Sequence, residues 1–115
     1  MKIATWNVNS VRARLDRLLR WLEKARRDVV CLQELKATEE AFPYEPIREA
    51  GYHAAVHGQK TYNGVAILSR SQPGEIRRGM GPGWEDPQAR LLAAEIEGVQ
   101  VISAYVPNAQ AAGSD

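Results

Sequence analysis

The chain has 115 residues, enough for one small domain and too few for two ordinary ones. With 25% charged and 44% apolar residues it has the composition of a folded soluble protein, not of a disordered chain. A net charge of +1 argues neither for nor against a nucleic-acid partner. The longest apolar runs, Val29 to Leu32 and Val65 to Leu68, are far too short to span a bilayer, and Met1 to Asn7 contains no apolar signal-peptide core. The single cysteine, Cys31, excludes an internal disulfide and fits a reducing compartment, so the expectation is a cytoplasmic protein with no membrane partner.

Residues 2–7 alternate, with Ile3, Thr5 and Asn7 on one side and Ala4 and Trp6 on the other, which predicts a short strand. Ser10 offers an N-cap, and Val11, Leu15, Leu18 and Leu22 follow at helical spacing, predicting an amphipathic helix over 10–27. Val29 to Gln33 is a compact apolar run that reads as a buried strand. Strand, helix and strand in this order make a βαβ unit with a parallel pair. Thr38 to Glu40 offers the start of a short helix, Pro43 and Pro46 break the region, and Ile47 to Ala50 makes a brief helical turn stopped by Gly51. Tyr52 to His57 and Val65 to Ser69 read as strands joined by a loop holding the turn dipeptide Asn63-Gly64. Residues 71–88, rich in Pro and Gly, read as loop; Leu91 to Ile96 and Val99 to Tyr105 form a hairpin around Glu97-Gly98, ended by Pro107. The fold class is thus α/β (α+β), a mixed β-sheet with a βαβ start and one long helix. Such a sheet leaves one apolar face bare, and residues 109–115 hold no closing element, so the chain reads as cut short. Its expected partners therefore include a missing C-terminal half or a second copy docked on that face.

The polar residues fall at one edge. Asn7 ends the first strand and Gln33-Glu34 the second; the carboxyl ends of a parallel pair emerge together, where open α/β sheets place ligands. A carboxylate and an amide carbonyl are hard oxygen ligands, suited to Mg²⁺ or Mn²⁺ and poor for zinc. The alternative is that Asn7 caps the turn while Glu34 pairs with Lys36 at the surface. Tyr105, at the end of the last strand, either donates to a phosphate oxygen or packs on the sheet edge with its hydroxyl in water. Asn63-Gly64 presents an amide to a ligand or is a plain turn. The helix over 10–27 carries seven basic residues against two acidic ones. Asp16–Arg20 and Glu23–Arg27 are ordinary i,i+4 pairs, which leaves Arg12, beside the Asn7 edge, as the candidate for a phosphate contact. His53 and His57 share a strand face with no carboxylate at matching spacing and read as structural or surface residues, and Cys31 as a buried thiol.

Thr5-Trp6-Asn7-Val8-Asn9-Ser10, Leu32-Gln33-Glu34-Leu35-Lys36, Tyr62-Asn63-Gly64-Val65-Ala66-Ile67-Leu68-Ser69 and Tyr105-Val106-Pro107-Asn108 arrive in this order. The series closely resembles the N-terminal half of exonuclease III-type abasic-site endonucleases. The resemblance implies the first half of a four-layer αββα sandwich, shared with DNase I and inositol polyphosphate phosphatases. It also implies hydrolysis of phosphodiesters with Mg²⁺ or Mn²⁺, on double-stranded DNA with abasic sites or 3′ ends. Carried over by motif, Glu34 is a metal ligand, Asn7 lines the same site, and Asn9 stands where the family has Asn or Asp near the metal. Tyr105 is the active-site tyrosine; Lys36, Asn63, Arg90 and Asn108 are phosphate or DNA contacts. The family's later motifs (Asp-x-Asn for the attacking water, a loop aspartate and a closing Ser-Asp-His) do not occur in these residues, which predicts impaired turnover. A non-catalytic half-domain that binds DNA or pairs with another chain is the alternative. A relative acting on phosphoinositides or sphingomyelin fits the Tyr105 motif less well.

Overall fold

A computed structural model of the chain describes residues 1–60, 63–78 and 89–105. The chain begins with β1 (Ile3–Asn7), α1 (Leu15–Ala25) and β2 (Val29–Gln33). The two strands run parallel with Asn7 opposite Gln33, as the βαβ reading requires. They are followed by α2 (Tyr44–Glu49), β3 (His53–His57) and β4 (Val65–Ser69), which complete a mixed sheet of order β1-β2-β4-β3. β2 and β3 both pair antiparallel with β4.

The helix is shorter than the sequence predicts. It starts at Leu15, not Ser10, and ends at Ala25. Ser10 does accept a hydrogen bond from the Ala13 amide (3.3 Å). However, the amides of Ser10 and Val11 donate across to Glu34 and Leu35 (both 2.9 Å), which holds the chain in a turn before the helix begins. Arg26, at φ +52°, closes the helix with its amide on the Leu22 carbonyl. Thr38 to Glu40 opens no helix; Thr38 instead accepts the Ala41 amide in a turn. Pro46 does not break the second helix but lies in the first turn of α2, where its missing N–H has no partner to lose.

The largest difference from expectation is a second sheet. β5 (Ile76–Arg78), β6 (Leu91–Ile96) and β7 (Val99–Ala104) form an antiparallel sheet of order β5-β6-β7. β5 lies within the stretch read as loop. The two sheets share a core, and the alternation of β2 and β4 builds it. Val30, Leu32, Ala66 and Leu68 point toward Leu18, Leu22 and Ile47 of the helices. Val29, Cys31, Val65 and Ile67 point the other way, toward Leu92, Ala94, Ile96 and Val101. The sheet face expected to be bare is therefore covered from within the chain. Apolar exposure moves to the far side and the open edge: Ile102 is 57% exposed, Ile3 50% and Val99 46%. Among the described residues, no helix is long and apolar enough to cross a membrane.

Candidate functional site

The ends of β1 and β2 are tied together beyond the ladder. Val8 donates to the Gln33 carbonyl (3.0 Å), Leu35 to Gly64 (3.0 Å) and Lys36 to Asn63 (3.0 Å). To make these bonds the backbone adopts unusual conformations. Asn9, Ser10, Glu34, Lys36 and Asn63 all have positive φ, between +47° and +86°, and only Arg26 and Glu97 share this feature elsewhere among the described non-glycine residues. Each such residue costs on the order of 1 kcal/mol or more, so the strain is concentrated at one edge of the molecule.

The side chains there form a polar cluster. The Asn7 carbonyl oxygen accepts the Asn9 amide (3.1 Å), and Lys36 Nζ donates to Asn9 Oδ1 (2.6 Å) while lying 3.6 Å from Glu34 Oε2. Both local alternatives for these residues are thus realised: Asn7 caps its turn and Glu34 pairs with Lys36. Neither seals the site, because the side chains of Glu34 and Lys36 remain 22% and 34% exposed. Asn7 Oδ1 keeps a second lone pair, and Glu34 makes no hydrogen bond through its side chain among the described residues. The donor set is one carboxylate and one amide oxygen. No group of three His, Cys, Asp or Glu occurs among the described residues, so a zinc-type cage is not built there. Mg²⁺ and Mn²⁺ fit this set, since Mg²⁺ keeps several waters and takes one or two carboxylates together with phosphate oxygens.

The second sheet delivers the remaining candidates to the same edge. Gly64 donates to the Ala89 carbonyl (2.7 Å), and Tyr105 donates through its amide to the Arg90 carbonyl (2.9 Å). A continuous run of backbone bonds therefore links Leu35, Gly64, Ala89, Arg90 and Tyr105. Tyr105 and Arg90 are both half-buried, and Arg12 is exposed on the turn before α1. Asn63 departs from its expected role. It is 3% exposed and gives its Nδ2 to Gln59 Oε1 (3.2 Å), so it braces the loop instead of facing outward. It is not a plain hairpin turn either, since Gly64 (φ +93°) backs directly onto Leu35, whose Cβ is 2.9 Å from where a side chain would begin. Asn108 lies outside the described residues.

Three features of the site were not legible from sequence. First, Gln33 Nε2 donates to Thr5 Oγ1 (2.9 Å) and to Ser103 Oγ (3.2 Å), and Ser103 donates to the Leu32 carbonyl (3.1 Å). This bridge, buried at Gln33 and Ser103 and open at Thr5, joins β1, β2 and β7 one or two residues before Asn7, Glu34 and Tyr105. A glutamine and a serine at inward positions of apolar strands were its only signal. Second, Glu39 lies 3.8 Å from His57 Nδ1 and accepts the Gly58 amide (3.0 Å). The histidine does have a carboxylate neighbour, supplied by a distant loop and not by strand spacing. Third, Gln59 holds Asn63 and Ala89 together. Beside the bridge, burial pushes the Cys31 thiol up from its ordinary value of 9.0, partly offset by the Ser103 hydroxyl. A protonated, buried thiol is no nucleophile.

Residues 4–114 match the endonuclease/exonuclease/phosphatase family. The chain belongs to that family. It is 42% identical to exodeoxyribonuclease III of Haemophilus influenzae over 114 residues, covering 96% of this chain and 43% of that protein. It is 36% identical to the DNA repair nuclease APEX1 of Danio rerio, over 95% of this chain and 37% of that one. Among solved structures, the 3′ phosphatase NExo from Neisseria, bound to a product DNA hairpin, superposes with a TM-score of 0.90 at 44% identity. The match covers 96% of this chain and 43% of that one. The chain spans less than half the length of these relatives, and its two facing sheets are those of the exonuclease III type.

Proposed function

We propose that this family member serves divalent-metal-dependent hydrolysis of DNA phosphodiesters in repair, as the first half of a four-layer αββα domain. Its substrate is double-stranded DNA bearing abasic sites or 3′ ends. The observation that carries the reading is the cluster of Asn7, Asn9, Glu34 and Lys36 at one strained edge, to which backbone hydrogen bonds tie the segments that carry Arg90 and Tyr105. The exodeoxyribonuclease activity named for the Haemophilus relative, the DNA repair nuclease named for Danio and the product DNA hairpin bound by the Neisseria protein support it.

In this reading Glu34 and Asn7 hold Mg²⁺ or Mn²⁺. The bound ion supplies Lewis-acid polarisation of the phosphoryl oxygens. Tyr105 donates its hydroxyl hydrogen to a phosphate oxygen, which favours the charge that builds there during attack. Lys36, Arg12 and Arg90 bind phosphates of the strand independently of base sequence, with Asn108 as a further contact. Asn9 holds Lys36 at the rim. Specificity for a damaged site then comes from duplex shape and from a pocket that accepts a base-free sugar. The 115 residues by themselves turn over little, because the Asp-x-Asn that positions water in the family does not occur among them.

A second reading, a half-domain that binds DNA without cutting it or pairs with another chain, is favoured by one observation. Among the described residues no group of three His, Cys, Asp or Glu accompanies Glu34. One experiment separates the two: Mg²⁺-dependent incision of a duplex with a single abasic site, alongside binding of the same duplex across a salt series. The expected result for the parent chain is binding that weakens with salt, with trace incision that Glu34→Ala abolishes. Binding with no incision at all favours the second reading. A chain that neither binds nor cuts the duplex overturns the first reading and the DNA-binding form of the second, leaving only pairing with another chain.

A further inference from the structure

Gln59 sits where the two halves of the site meet, although nothing in its sequence context marks it. Its Oε1 uses both lone pairs: it accepts the Asn63 side-chain amide (3.2 Å) and the Ala89 backbone amide (2.8 Å). Its own backbone amide donates to the Ala37 carbonyl (2.9 Å), which anchors the residue to the loop after Lys36. The packing beneath is tight. A side chain at the preceding Gly58 would start 2.5 Å from the Ala37 carbonyl oxygen, so this loop has one way to lie. On the far side, the Ala89 carbonyl accepts the Gly64 amide (2.7 Å), and the Arg90 carbonyl accepts the Tyr105 amide (2.9 Å).

We infer that Gln59, oriented by the buried Asn63, is a positioning residue that holds Ala89, and through it the Arg90 guanidinium, at the DNA-binding edge. The inference rests on the proposed DNA substrate. Its physical basis is an accounting of donors and acceptors. Ala89 is 2% exposed and Asn63 3%, so neither N–H has ready access to water if the acceptor is removed. Two buried donors left without a partner can be relieved only by moving the segment that carries them, and Arg90 follows Ala89 directly. An acidic oxygen at position 59 satisfies both donors; an aliphatic side chain of similar size satisfies neither. Asn63 thereby acquires a role that its burial explains, as the group that fixes the direction of the Gln59 carbonyl.

The test measures binding of the full 115-residue chain to a duplex carrying a tetrahydrofuran abasic-site analogue, by fluorescence anisotropy across a NaCl series. Gln59→Leu is expected to weaken binding about tenfold, the scale of one charge-assisted hydrogen bond, as Arg90→Ala also does. Both should lower the slope of log K against log salt by about one contact. The double variant should bind no worse than Arg90→Ala alone, and Gln59→Glu should rescue most of the loss. Amide exchange at Ala89 reports the clamp without DNA and should accelerate in Gln59→Leu while strand amides of β2 stay protected. Multiplying losses in the double variant, or parent-like binding by a folded Gln59→Leu, would overturn the inference. A parent chain that fails to bind the duplex at any salt overturns the functional reading on which the inference rests. Unchanged Ala89 exchange in Gln59→Leu overturns the clamp alone.

Discussion

The two sheets face each other across one core, yet their sequences follow different rules. Every residue of β2 and β4 is buried, because helices lie on one side of that sheet and the second sheet on the other. Both strands consequently read as unbroken apolar runs. In β7, buried Val101 and Ser103 alternate with exposed Gln100, Ile102 and Ala104, because only one face has a partner among the described residues. The contrast shows that strand patterning reports the number of covered faces. It also shows why the division of labour at the site is possible. Glu34 follows the doubly covered β2, Asn7 ends the neighbouring β1 at the exposed edge, and the half-covered sheet adds Arg90 and Tyr105 through a few backbone hydrogen bonds.

Substitutions that sharpen this contrast should fall in a definite order. The largest loss is expected for Leu32→Ala, fully buried between β2 and the helices: about 2–5 kcal/mol in a urea unfolding series. Gly64→Ala follows, at about 1–3 kcal/mol, because φ +93° is strained for any side chain and the new Cβ meets that of Leu35 at 2.9 Å. Ser103→Ala should cost about 1 kcal/mol, since it removes one acceptor of Gln33 Nε2 and the donor to Leu32 at the junction of the sheets. Ile102→Thr, on the uncovered face at 57% exposure, should stay within about 0.5 kcal/mol. A cost for Ile102→Thr comparable with that of Leu32→Ala would mean that this face is covered in solution.

Burial of the thiol between the sheets gives a pH signature. The folded pKa of Cys31 lies above 9.0, so the unfolded chain loses that proton first. The stabilising contribution is complete below about pH 9 and is lost as pH rises through the folded value. Tyr44 and Tyr52 are also raised by burial, and they add the same trend above their ordinary 10.0. Unfolding midpoints measured from neutral to alkaline pH should therefore decline, and Cys31→Ala should remove the earliest part of the decline. A variant with an unchanged profile would show that the thiol ionises as easily in the folded protein as outside it.

Much of the frame was legible from local pattern. The strands over Val29 to Gln33, Val65 to Ser69 and Leu91 to Ile96 match expectation to the residue, because continuous or alternating apolar runs leave little choice of register. The start of α1 was misread because Ser10 has the chemistry of a cap, whereas the amides around it are claimed by the loop after β2. β5 escaped notice because three residues between prolines and glycines carry no periodicity of their own; β6 orders them. Among the candidate site residues, Asn7, Asn9, Glu34 and Lys36 do form one cluster, Arg90 and Tyr105 reach the same edge, and Asn63 turns inward. The Gln33–Thr5–Ser103 bridge spans about 70 residues of sequence and has no local signature.

The sequence by itself determined most of the strands, the parallel βαβ start and the ordered motifs that mark the family, because these depend on residues near one another in the chain. Tertiary structure alone decided that the strands divide into two facing sheets. It also decided which polar groups are sealed between them and that Asn63 turns inward. The physical reason is that a buried donor must find its acceptor wherever the fold brings one. Those acceptors, Gln59 for Ala89 and Ser103 for Gln33, come from segments that only packing makes neighbours.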